Sequence, residues 1–158
     1  MHTLLFLGLF FLSLTASAQT ESIVPFKGAN SLVVMTPDSG HVALRQFLES
    51  MQAHGALIDI SKKESLRFQT RPMALARTSK GATATYMVVA SSGPNSQITV
   101  TGQVATTGQT TRQLVPASFT GGEKGAPLVA FRFMEGAAKA YTTGYHREKT
   151  RLRYAKQP

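Results

Sequence analysis

Cysteine is absent from the 158-residue sequence. Its absence excludes disulfides, thiolate metal sites, thiol nucleophiles and the cysteine-borne lipid anchor of bacterial lipoproteins. Acids are scarce: 8 Asp and Glu stand against 17 Lys and Arg, a formal net charge of +9 at pH 7. Catalytic signatures are missing as well. There is no Gly-x-Ser-x-Gly, no phosphate-binding loop and no dinucleotide fingerprint. The glycine-rich stretch at residues 121–125 lacks the Gly-Lys-Ser/Thr ending and reads as a loop. No cofactor is expected.

Long apolar runs are also missing, with one exception. Residues 4–14 are apolar apart from Gly8 and Ser13, and Ala16, Ser17 and Ala18 follow. Small residues three and one before a cut fit a signal peptidase, so the pattern predicts a leader over residues 1–18, cleaved before Gln19. Its start carries His2 but no Lys or Arg. As a helix the run would span roughly 16 Å, well short of the ~30 Å hydrocarbon core. The expected product is periplasmic or secreted, without a transmembrane segment. About 140 residues remain, the usual size of one domain and enough to be held by a core alone.

The leader has no Lys, Arg, Asp or Glu, so the whole positive excess falls on the remainder. Such a balance attracts nucleic acid, anionic headgroups or acidic polysaccharide. No run of Lys and Arg is dense enough for a nucleic-acid arm, and an exported chain rarely meets nucleic acid. An envelope protein or another acidic surface is the expected partner.

Residues 19–30, with Pro25 and Gly28, read as a flexible lead-in. Residues 31–35 suit a buried strand. Thr36 as a cap and Pro37 in the first turn predict a helix over residues 37–54, with Asp38 at the positive end of its dipole. Leu44, Phe47, Leu48 and Met51 lie on one stripe of it, and Gly55 can end it. The period then changes to two. Ala56 onward alternates around Ile58 and Ile60, residues 61–65 form a turn, and Leu66, Phe68 and Thr70 alternate with Arg67, Gln69 and Arg71. That is a hairpin with one dry face and one cationic face. Pro72 marks a bulge or an edge, with residues 73–77 continuing past it. Residues 83–91 and 97–107 read as strands, with Gly102 a bulge or a close approach. A second helix starts at Pro127, with Leu128, Phe131, Met134, Ala138 and Tyr141 on one face and Gly144 as its stop.

The order strand, helix, strands, helix predicts an α+β domain over residues 31–144. Its twisted antiparallel sheet has about five strands, with two helices packed on one face. A basic tail over residues 145–158 follows. In it Lys149, Arg151 and Arg153 alternate with Thr150, Leu152 and Tyr154. An extended tail would dock Leu152 and Tyr154 on the sheet and turn a cationic row outward; a disordered cationic end is the other possibility.

Residues 41–70 resemble the helix-grip type of small bacterial envelope domain, such as the repeated domains of a barrel-assembly lipoprotein and many uncharacterised exported domains. The resemblance is carried by Leu44, Phe47, Leu48 and Met51, then Gly55, Ile58 and Ile60, the charged turn Lys62, Lys63 and Glu64, and Leu66, Phe68 and Thr70. The turn lacks Asp-x-x-x-Gly, and no lipid-bearing cysteine is present. The resemblance implies a non-enzymatic role in assembly or binding at the envelope and carries over no functional residue.

Chemistry-bearing residues are few. Asp38 and His41 lie three apart at a helix start, where an acid complements the dipole. His54 stands at a helix end, facing exposed carbonyls. His146 and Glu148 form one His-x-Glu, too little for a zinc site. The expected binding residues are therefore Arg67, Arg71 and Arg77 on the sheet and Lys149, Arg151 and Arg153 in the tail. The reading that follows is a non-enzymatic binding or scaffold domain. Two others stay open: a carrier of a small apolar ligand in a helix–sheet cavity, and a small hydrolase using Asp38, His41 and Asp59.

Overall fold

The computed structural model describes residues 20–60, 63–75, 81–106, 114–120, 125–145 and 148–157. In chain order its elements are β1 (Glu21–Ser22), β2 (Ser31–Thr36), α1 (Gly40–Ala53), β3 (Arg67–Gln69), β4 (Met73–Ala74), β5 (Thr83–Ala90), β6 (Ser96–Ala105), β7 (Leu114–Pro116), α2 (Ala126–Gly144) and β8 (Arg151–Ala155). The class is α+β, built on an open antiparallel sheet ordered β1-β8-β2-β6-β5-β3, with β4 beside β5 and β7 beside β6. The sheet thus has eight strands where about five were expected. The additions are two- and three-residue strands, too short to show a period, and β8 from the basic tail. β8 lies inside the sheet, paired with β2 on one side and β1 on the other.

Both helices cover the same face. Strand alternation sends Leu32, Val34, Phe68, Tyr86, Val88, Ile98 and Val100 inward, where they join Phe47, Met51, Phe131, Met134 and Tyr141 in one core. Aromatic rings pack between helices and sheet, where Tyr86 stacks on Phe133 at 4.9 Å between centroids and Phe131 on Tyr154 at 6.2 Å, while between the two helices Phe47 meets Tyr141 at 5.4 Å. The Tyr86 hydroxyl donates to the Ala130 carbonyl at 3.1 Å, and burial pushes its phenol above the usual range. Between the helices, the Ser50 hydroxyl donates to the Ala137 carbonyl at 2.8 Å.

α1 begins three residues later than its capping pattern suggested. Thr36 belongs to β2 and pairs with Ser96, so the chain stays extended through it. Its hydroxyl accepts from the Asp38 N–H at 3.4 Å, a local turn contact in place of a helix cap. The other end matches the pattern. Gly55 takes φ +91°, its N–H donates to the Gln52 carbonyl and that of Ala56 to the Met51 carbonyl, which closes the last turn.

The segment after Gly55 departs from the expected strand. Only Ile58 bridges to Thr70, and Leu57 and Ile60 are 64% and 78% exposed, so the dry face is lost there. Pro72 does mark a bulge: residues 70–72 oppose only Thr85 and Tyr86 across β5. Thr70 repairs the ladder there. Its N–H donates to the Tyr86 carbonyl, and its hydroxyl accepts from the Tyr86 N–H at 3.0 Å.

Gly102 is a close approach within an unbroken ladder. A Cβ there would sit 2.9 Å from the Ala117 Cβ and 3.0 Å from the Tyr86 ring. Tyr86 is held from above by Phe133 and its hydroxyl bond, so it has no room to retreat. Gly102→Ala is therefore expected to destabilise the fold by about 1–3 kcal/mol through overpacking. Urea unfolding of the two proteins checks this; an unchanged midpoint would mean that the ring gives way.

Candidate functional site

The face away from the helices carries the other half of each strand. One transverse row crosses five strands: Arg153, Val33, Thr99, Val89 and Arg67. Its ends are four strand spacings apart, roughly 19 Å. A second row holds Arg151, Met35 and Gln97. A third holds Ala155, Ser31, Thr101, Met87 and Gln69. Met35, Met87 and Val89 are each about 40% exposed, whereas Val33, Ser31 and Ala155 on the same rows are buried, so the open part of the face lies over β5, β6 and the Met35 end of β2. β2, β5 and β6 contain no charged residue, so the centre of this face is neutral and its flanks are cationic.

Of the residues singled out from sequence, Arg67, Arg151 and Arg153 share this face. Arg71 lies just past β3, exposed, its N–H donating to the Leu57 carbonyl at 2.7 Å. Lys149 sits exposed in the turn before β8, outside the strand. Arg77 lies outside the described residues, as do residues 1–18, expected to be a leader, His146 and part of the charged turn. The row is less cationic than its sequence suggests. Arg67 pairs with Glu64, and Arg153 donates to Glu21 at 3.0 Å. Both pairs are exposed and so contribute little to stability. Arg151 and Arg71 have no side-chain partner among the described residues.

Asp38 lies in the turn before α1, His41 in the first turn of α1, and Asp59 follows Ile58, which bridges to Thr70. The His54 ring nitrogen Nδ1 lies 2.9 Å from the Ser50 carbonyl, and the ring meets Phe133 edge-on. Among the described residues no three His, Asp or Glu side chains group as metal ligands, and no helix is long and apolar enough to cross a membrane.

Sequence reasoning missed the residue that fixes β8. Glu135 of α2 is 3% exposed. Its carboxylate accepts from the Tyr154 hydroxyl at 2.7 Å, from Arg132 at 2.7 Å and from Lys139 at 2.8 Å. The signal was present. Glu135 is four residues after Phe131 and three before Ala138, so it lies on the inward stripe. Arg132 also caps the Phe119 ring at 5.1 Å. Through Tyr154, the cluster orients the strand whose other face presents Arg151 and Arg153.

No family model matches the chain, and no curated protein matches its sequence.

Burial alone would raise the Glu135 carboxyl, but the hydrogen bonds from Lys139, Tyr154 and Arg132 outweigh it and hold the group below its usual value. A folded-state value below the unfolded one gives stability that is present above the ordinary carboxylate range and lost as the pH falls through the folded value. Glu135→Gln should therefore cost about 1–3 kcal/mol at pH 7 and much less at pH 3. Urea midpoints at the two pH values test this; profiles that fall in parallel would remove the carboxylate from that role.

Proposed function

We propose that the chain is an exported, non-enzymatic binding or scaffold domain of the bacterial cell envelope, docking an acidic partner through the uncovered sheet face. The observation that carries the reading is this sheet face, whose neutral, partly apolar centre is flanked by Arg151 and Arg71, without a side-chain partner among the described residues, and by Arg67 and Arg153, each beside one acid. Interfaces combine an apolar centre with a polar rim, and rim charges select and steer the partner. Ring packing between α2 and the sheet and the single core shared by both helices support the outer face as the site in preference to the core. The envelope location rests on the leader pattern and on the helix–hairpin resemblance. Arg67, Arg71, Arg77, Lys149, Arg151 and Arg153 are the binding residues of this reading.

Two outcomes are expected. Expressed with its leader, the protein should be recovered outside the cytoplasm with Gln19 as its first residue, read by N-terminal sequencing; a product retaining Met1 would contradict export by cleavage. Poly-L-glutamate should bind the full chain at low salt and weaken as added salt shortens the screening length below about 10 Å. Arg151→Glu with Arg153→Glu should weaken it further by about tenfold, equivalent to roughly 1.4 kcal/mol. Binding that ignores both salt and these substitutions would end the docking reading.

A further inference from the structure

Beside the arginine row, the uncovered face holds a trough that the docking reading does not use. A shallow depression of about 60 Å³ is lined by Gln69, Thr85, Met87, Thr101 and Gln103. A second, of about 200 Å³, is lined by Asn30, Thr101, Gln103, Pro116 and Gln157. They share Thr101 and Gln103, so together they run across the strands from β3 to the far ends of β2 and β8. The lining is neutral throughout. The side chains of Gln69, Thr85, Thr101 and Gln103 make no hydrogen bond to any described residue. Asn30 is different: its side chain clamps the Gln157 backbone, donating to the carbonyl at 3.1 Å and accepting from the N–H at 2.7 Å, which fixes that wall.

From this arrangement we infer that the trough binds an acidic polysaccharide, an inference that rests on the docking reading and names its ligand. Amides and hydroxyls both donate and accept, as sugar hydroxyls do, so unpaired Gln and Thr side chains in a row match a hydroxyl-rich chain. Met87 offers an apolar floor for the C–H face of a ring. The polymer's acid groups meet cations at the trough's margins. Arg71, without a side-chain partner among the described residues, and Arg67, in an exposed pair with Glu64, stand beside Gln69, and Arg153, in an exposed pair with Glu21, stands one row away at the opposite edge.

A peptide fits less well. The trough runs across strands whose backbone groups are already paired, so no strand can be added to it. It also lacks the deep apolar pockets that hold aromatic or aliphatic anchors. A nucleic acid would need cations along its whole length, and the three central strands have none.

The test uses the full chain and three probes: polygalacturonate, its fully methyl-esterified form and poly-L-glutamate. Binding is followed by calorimetry at low salt. Polygalacturonate should bind at least about tenfold more tightly than the neutral ester. Gln69→Ala with Gln103→Ala should weaken polygalacturonate about tenfold and leave poly-L-glutamate within about twofold. Thr101→Val, close in shape, should act in the same direction. All three positions are on the surface, so unchanged urea midpoints serve as the folding control. If the Gln and Thr variants bind polygalacturonate as the parent does while the arginine variants still lose poly-L-glutamate, the trough is not the site and the docking reading stands. If the neutral ester binds as well as the acid, the ligand is a neutral glycan and the inference fails. If no probe binds, both readings fail together.

Discussion

The pairing of β8 with β2 is the contact on which the rest of this molecule depends. It joins a strand near the start of the described chain to one near its end, over five residue pairs from Ser31 with Ala155 to Met35 with Arg151. Because side chains alternate, β8 works on both faces. Tyr154 enters the core and meets α2, while Arg151 and Arg153 turn to the uncovered side. A loop or a disordered tail could carry the same charges but could not hold them in line with Arg67 across the sheet.

The uncovered face also solves a problem common to open sheets. An antiparallel sheet with helices on one side must offer water a surface that is neither sticky nor self-repelling. Threonine and glutamine share the central positions here with Val33, Met35, Met87 and Val89, and threonine keeps the β-branched shape that favours strands. Like charges directly opposite one another would destabilise the ladders, so the arginines are spread to β3 and β8, each of the two row ends with a nearby acid. Charge near the margins also discourages pairing with another sheet edge. The neutral centre and the cationic margins therefore follow from folding constraints, and a binding function can use them without further cost.

Long, strongly periodic segments were legible. The stripe of Leu44, Phe47 and Met51, the end at Gly55, the strands β5 and β6 and the apolar face of α2 were all readable from spacing. Gly102 could be read as a close approach, though only the structure shows that Tyr86 is the neighbour. Pairing that depends on distant partners was not legible. Thr36 looks like a helix cap until Ser96 claims it for a ladder. Ile58 and Ile60 alternate as in a strand, yet only Ile58 finds a partner there, Thr70. Of the candidate site, the arginines of β3 and β8 could be named from alternation, but their shared row could not, because strand order is not written in any local pattern. Glu135 was hidden by its own neighbours. Arg132 and Lys139 at three and four residues' distance look like ordinary surface ion pairs on a helix.

Glu135 links stability to the geometry of the face. In a sheet, a slip of one residue exchanges the two faces of a strand. For β8 such a slip would send Arg153 towards α2 and Tyr154 to the outside, while the buried Glu135 carboxylate would lose the hydroxyl that now donates to it. An unmet buried acceptor costs about 1–3 kcal/mol, more when charged. The correct register is thus favoured on the core side by one hydrogen bond, and the orientation of Arg151 and Arg153 on the other side follows from it. The cationic edge of the uncovered face is in this sense set from inside the molecule, by a carboxylate that never reaches the surface it organises.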